Sequence, residues 1–281
     1  MKTIRLNNNI EMPAVGLGTF MMSPADAEEA VYNALNSGYR LIDTANAYLN
    51  ECAVGRGMRR SGLRREEIFL ESKLWPTVYA KETAVDEMLT RLGTDYVDLL
   101  LIHQPAGDYI AGWRALEKAY KDGKARSIGL SNFEGEPLEE IMSICEIKPA
   151  VIQVEAHPYY TQGELKERIK ADNIRIQAWY PLGHGDKTLV NEPLFGELAA
   201  KYGKSNAQII LRWHVQSGNI VIPGSRNPDH IRDNADIFDF ELTDGEMKEI
   251  AKLDKNTRYY TPTPEALAAY AAMELQHGAD V

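Results

Sequence analysis

Four residues carry side chains that could move a proton if the fold brought them together: Asp43, Tyr48, Lys73 and His103. Each has an ordinary use when taken alone. Asp43 can cap a turn, Lys73 can be a surface charge, Tyr48 can be a packed ring, and His103 can bond backbone at a strand end. As a set they make an acid–base device. A lysine buried beside an aspartate is neutralised, and its ammonium can then favour a tyrosinate. A phenol, which ordinarily titrates at about 10, would thereby exchange a proton closer to neutrality. A neutral His103 could orient a substrate oxygen through one ring N–H. The chemistry that needs this is reduction of a carbonyl, with the proton from the protein and the hydride from a cofactor. Asn132 and Gln153 could grip a nicotinamide carboxamide, and Trp179 offers a flat face to its ring.

Positioning these residues requires a scaffold with many strand ends on one face. Apolar, β-branched runs occur at Ala14–Thr19, Leu41–Ala45, Ile68–Leu74, Val97–His103, Ala125–Ser131, Ala150–Ala156, Ile174–Tyr180 and Asn219–Ser225. Their starts lie roughly 24 to 29 residues apart, with one longer gap of roughly 45. Strands apolar on both faces, each followed by a helix, pair in parallel through right-handed crossovers. Eight such units predict a single (β/α)8 barrel covering 1–281, and barrel active sites form at the C-terminal strand ends. Lys2–Leu6 and Ile10–Pro13 read as a hairpin over the barrel bottom. Ser23, Pro24 and Gly38 mark the cap, N1 and C′ positions of the first helix. Helices are expected at Ala111–Lys121 and Asn206–Gln216. The excursion from Leu182 to Pro193 is expected at the functional face, and the tail beyond Leu253 over a barrel end.

Bulk properties set limits on partners. The 281 residues are 44% hydrophobic and 26% charged, with a formal net charge of −10, which disfavours nucleic acid and anionic membrane. No signal-like or membrane-length apolar run is present, and the two cysteines, Cys52 and Cys145, have no metal-like spacing. The expectation is a cytoplasmic, monomeric, metal-free protein acting on a small molecule.

With its residues assembled, the chain resembles the aldo-keto reductases along essentially its whole length. The motifs are GLGTF (16–20), LIDTANAY (41–48), ESKLW (71–75), YVDLLLIHQP (96–105), GKARSIGLSNF (123–133), PAVIQVEAHPY (149–159), AWYPLG (178–183) and ILRWHVQSGNIVIP (210–223). The resemblance implies reduction of aldehydes or ketones with NAD(P)H, Tyr48 as proton donor, Asp43 and Lys73 tuning it, and His103 orienting the carbonyl. It also implies cofactor contacts from Thr19, Asp43, Ser131, Asn132, Gln153, Trp179, Leu182, Gly183, Ser225 and Asn234. No GxGxxG run occurs, in keeping with a barrel mode of dinucleotide binding. Substrate-wall candidates are Phe20, Met21, Met22, Trp75, His103, Gln104, Tyr109, Tyr259 and Tyr260.

One departure from the family pattern faces the substrate pocket: Gln104 stands where many relatives have tryptophan. The others concern the cofactor, with Tyr180 where serine is common. Gly224 replaces the usual lysine of I-P-K-S, and His230 replaces the usual arginine six residues on. Both missing cations would hold the 2′-phosphate of NADPH, so use of NADH beside NADPH is expected. His230 can still stack on adenine, and Arg226 could swing a guanidinium onto that phosphate. Two other readings stay open: a barrel hydrolase or aldolase using Lys73 as nucleophile, and a non-catalytic, cofactor-bound regulatory subunit.

Overall fold

The computed structural model describes residues 2–277; residue 1 and residues 278–281, the ends of the expected 1–281 unit, lie outside the described residues. Thr3–Arg5 (β1) and Glu11–Pro13 (β2) pair antiparallel, and Asn9 takes the left-handed turn conformation that asparagine tolerates. This hairpin lies across one end of the barrel. Asn7 Nδ2 donates to Pro149 O (2.8 Å) and Asn8 Nδ2 to Arg126 O (3.0 Å), both carbonyls preceding strands. Leu6 and Met12 pack with Leu41, Phe69, Leu99 and Ile220, so the N-terminal end is plugged by apolar side chains.

Eight parallel strands follow in sequential order: Leu17–Gly18 (β3), Leu41–Asp43 (β4), Phe69–Leu74 (β5), Leu99–Ile102 (β6), Ile128–Ser131 (β7), Val151–Glu155 (β8), Arg175–Trp179 (β9) and Ile220–Val221 (β10). The ring closes where Gly16 N donates to Val221 O (2.8 Å) and Val221 N to Ala14 O (3.0 Å). A Cβ at Gly16 would lie 2.4 Å from Leu41 Cγ, so this closure needs glycine. All eight expected strands are therefore present, in an eight-stranded (β/α)8 barrel. All are shorter than expected, the first and last most of all. Asn219 N is drawn back to His214 O (2.9 Å), and Pro223 has no N–H to extend the ladder.

The helices are Pro24–Asn36 (α1), Glu51–Arg60 (α2), Ala84–Leu92 (α3), Tyr109–Lys121 (α4), Gly135–Ile144 (α5), Gly163–Ile169 (α6), Lys187–Val190 (α7), Pro193–Tyr202 (α8), Asn206–Gln216 (α9), Pro228–Ala235 (α10), Asp244–Ala251 (α11) and Pro264–Ala272 (α12). Ser23 caps α1 by accepting from Asp26 N (3.2 Å). α4 starts two residues before its expected position because Asp108 Oδ1 accepts from Ala111 N (2.9 Å). The long gap holds α7 to α9. Outward-facing strand residues such as Ile42, Leu70, Leu100 and Ile152 form the main core against the helices.

The tail crosses the C-terminal end of the barrel. Lys255 N and Thr257 N donate to Tyr159 O, and the backbone N–H groups of Tyr259 and Tyr260 donate to the buried Glu155 carboxylate (2.6 and 3.1 Å). α12 then brings Tyr270 against Trp75, ring centroids 5.1 Å apart.

Candidate active site

The C-terminal strand ends surround a cavity of about 720 Å³. Asp43 ends β4, Tyr48 follows on the short turn Asn46–Tyr48, Lys73 lies on β5, and His103 comes directly after β6. The four meet as the sequence predicts. Lys73 is fully buried behind the cavity wall, and its Nζ donates to Asp43 Oδ1, to Thr44 O (2.8 Å) and to Tyr48 Oη (3.3 Å). All three ammonium protons are thereby engaged. Burial opposes that charge, but Asp43 and its neighbours outweigh it and hold the ammonium pKa above its ordinary value.

The Tyr48 phenol behaves differently from expectation. Burial pushes it up to about 12, Lys73 pulls it down, and Asp43 pushes it up again. The ammonium therefore does not bring it toward neutrality. Tyr48 keeps its proton firmly, the form a donor needs.

His103 stacks edge-on to both Tyr48 and Trp75, at 5.6 and 5.0 Å between centroids. Burial, then the Lys73 charge, holds its pKa well below the ordinary value, so the ring is neutral. Nδ1 is buried with no partner, and an N–H there would be a donor without an acceptor. The tautomer with its proton on Nε2 is thus favoured.

Ser131, Asn132, Gln153 and Trp179 form the adjoining wall. Trp179 Nε1 donates to Asn132 Oδ1 (2.9 Å), and Asn132 Nδ2 to His103 O (3.0 Å) and Ser131 Oγ (3.2 Å). Gln153 Nε2 has Asp43 Oδ1, Glu71 Oε1 and Gln177 Oε1 within 3.0 Å. Both amide donors are therefore held by the protein. No described residue donates to Gln153 Oε1, and the Ser131 hydroxyl proton is free to be given. That acceptor and that donor fit the N–H and C=O of a nicotinamide carboxamide beside the Trp179 ring.

Farther out, Leu182, Ser225 and Arg226 line the cavity, and Arg226 Nη2 donates to Met21 O (3.2 Å) with Asp26 at 3.8 Å. Thr19, Gly183, His230 and Asn234 do not line it. Thr19 Oγ1 is buried on Asp43 O (2.9 Å), Gly183 packs beneath Tyr259, and His230 is exposed on α10. Among substrate-wall candidates, Phe20, Met21, Met22, Trp75, Gln104 and Tyr260 line the cavity. Tyr109 does not: it packs on Phe133 and bonds Glu140. Tyr259 turns its hydroxyl to Asp186.

Sequence reading missed Tyr270 and Met273, which α12 supplies to the wall, and His184, whose ring lies 4.1 Å from that of Tyr180. No local pattern marks such contacts. It also missed Glu71 and Gln177 inside the barrel. Here a signal existed, because period-two alternation in Glu71-Ser72-Lys73 puts Glu71 on the same inner face as Lys73.

Comparisons with known proteins bear on the family of the chain. The family model described as "Aldo/keto reductase family" matches residues 14–255. A glyoxal reductase of Bacillus subtilis is 47% identical over 270 residues, covering 94% of this chain and 97% of the relative. A morphine 6-dehydrogenase of Pseudomonas putida is 44% identical, covering 91% and 92%. Among solved structures, an aldo-keto reductase from a deep-sea metagenome library superposes with TM-score 0.89 at 40% identity, covering 92% of this chain and 97% of that one. A Bombyx mori aldo-keto reductase in complex with NADP gives 0.87 at 36% identity, covering 92% and 94%. A family model matched over residues 14–255, with relatives 44–47% identical over nearly the whole chain and a closed eight-stranded barrel, makes the chain a member of the aldo/keto reductase family.

Proposed function

We propose that this oxidoreductase reduces aldehydes or ketones to alcohols with NADH or NADPH, with Tyr48 donating the proton. The observation that carries the reading is the buried Lys73 ammonium tied to both Asp43 and Tyr48 at the edge of the cavity. When bound, the reduced nicotinamide supplies hydride to the carbonyl carbon. Gln153, Asn132, Ser131 and Trp179 would hold its ring, with Leu182, Ser225 and Arg226 along the remainder. His103 Nε2–H orients the carbonyl oxygen, and the Tyr48 Oη proton passes to that oxygen. The phenolate left behind faces Lys73, which balances its charge. Trp75, Tyr260 and Tyr270 line the cavity and would limit the access of water to the reacting end.

Use of Lys73 as a nucleophile finds no support, since its ammonium is buried and fully hydrogen-bonded. Dual cofactor use is supported by Gly224, which offers no side chain, and by the outward placement of His230. Arg226 remains the cation at the rim that could favour NADPH.

Tyr48→Phe tests the reading. In a carbonyl panel that includes glyoxal, assayed with NADH and NADPH in parallel, turnover should fall by roughly 100-fold or more while cofactor affinity holds. Near-native turnover would remove Tyr48 from the mechanism.

A further inference from the structure

Behind Asp43 lies a second carboxylate that the proton transfer described above does not use. Glu71 sits opposite Asp43 in the β4–β5 register, two residues before Lys73, and is fully buried. Its Oε1 accepts from Gln153 Nε2 (2.8 Å) and its Oε2 from Gln177 Nε2 (2.7 Å). The same Gln153 nitrogen reaches Asp43 Oδ1 (3.0 Å), so one amide bridges the two acids. Lys73 has no proton left for Glu71, because its three go to Asp43, Thr44 and Tyr48.

The charge count then decides the state of the cluster. Asp43 on β4, Lys73 on β5 and Tyr48 on the turn after β4 are the titratable groups facing Glu71. β8 and β9 contribute only the amides of Gln153 and Gln177, and β6 offers leucines at the paired positions, Leu99 and Leu101. Two ionised carboxylates against one ammonium would leave an uncompensated anion in a dry interior. Burial, with Asp43 adding to it, places the Glu71 carboxyl well above the usual carboxylate range.

We propose that Glu71 is a further positioning residue for the Tyr48 proton transfer, a neutral acid behind Asp43 that shares its negative charge and leaves Lys73 to support the Tyr48 phenolate. This rests on the assignment of Tyr48 as donor. No bond to Glu71 is made or broken in the reaction. The Tyr48 proton goes to the substrate oxygen, and the Glu71 proton stays on its carboxyl. An ionised Glu71 would instead oppose the phenolate and make Tyr48 a weaker acid.

Two measurements test it. The infrared C=O stretch of a protonated carboxyl, taken as the difference between native protein and E71Q, should persist at about pH 8, far above ordinary carboxylate titration. Its absence would show an ionised Glu71 and overturn the proposal. In kinetics, Gln keeps a neutral donor, so E71Q should stay within about threefold of native kcat. E71L should lose roughly tenfold or more in kcat at unchanged KM, with the alkaline limb of the pH profile displaced upward. Equal and large losses in both variants, or none in E71L, would each overturn the proposal. Should E71L fail to fold, the infrared band and E71Q kinetics still decide. A native protein that reduces no carbonyl would sink the proposed function instead, while the infrared result would stand by itself.

Discussion

At the scale of single residues, Lys73 shows how stability and chemistry share one side chain. It neutralises Asp43 inside the barrel and also faces the Tyr48 hydroxyl. Replacing it with Met would leave Asp43 buried without its cation, a change that typically costs about 3–5 kcal/mol. The same change removes the group that offsets a phenolate, so kcat should fall by roughly 100-fold or more, without rescue by added substrate. Thermal melting and steady-state kinetics on Lys73→Met check both. A variant that melts lower yet turns over normally would reduce Lys73 to a structural role. Asp43, Tyr48, Lys73 and His103 were legible because each lies near or just beyond the C-terminal end of a strand, where barrel side chains converge. For Glu71 alternation with Lys73 gave the inner face, but a carboxylate within a strand gives no sign of how it is paired. Only the closed barrel, with Gln177 arriving from the far side, shows its partners.

At the scale of elements, one buried acid anchors the tail at residues 259 and 260. Both oxygens of Glu155, at the end of β8, accept backbone N–H groups from Tyr259 and Tyr260, and Oε1 also meets His157 Nε2 (2.9 Å). This clamp fixes the segment that leads into α12 and carries Tyr260 and Tyr270 to the cavity. Glu155→Gln has only one acceptor oxygen, so one tail N–H would face an amide N–H instead, a loss of about 1–3 kcal/mol. The expected outcome is a looser tail: faster limited proteolysis between residues 255 and 263, and KM for carbonyls raised several-fold with a smaller change in kcat. Native proteolysis and KM would mean that α12 docks independently of Glu155. The sequence made the strands and local caps readable, since periodicity and capping chemistry are local. It could say only that the tail wraps over a barrel end, because a clamp spanning 155 to 260 leaves no trace in either segment alone.

At the scale of the whole molecule, binding and stability are linked, so cofactor choice can be read from melting. A ligand that binds only the folded chain raises Tm according to its dissociation constant. NADP+ and NAD+ differ by the 2′-phosphate, and the chain has a net charge of −10 to set against that added anion. At the cavity's outer end, Gly224 offers no side chain and Arg226 is the nearby guanidinium, partly turned to Asp26 at 3.8 Å. Native protein should therefore be stabilised by both cofactors to a comparable degree. Adding the two cations with G224K and H230R should strengthen NADP+ binding. Each charge-assisted hydrogen bond is worth about 1.5–3 kcal/mol when well made, so the NADP+ increment should exceed that of NAD+ by about 5 °C or more. A Cβ at 224 lies 3.0 Å from Gly18 O, so the unliganded variant must serve as its own baseline. R226A should shrink the NADP+ increment and leave that of NAD+ intact. If NAD+ gives native protein no increment while NADP+ gives a large one, the reading of Gly224 and His230 is wrong. If R226A changes neither increment, Arg226 is a rim charge bound to Met21 O and Asp26 and takes no part in choosing the cofactor.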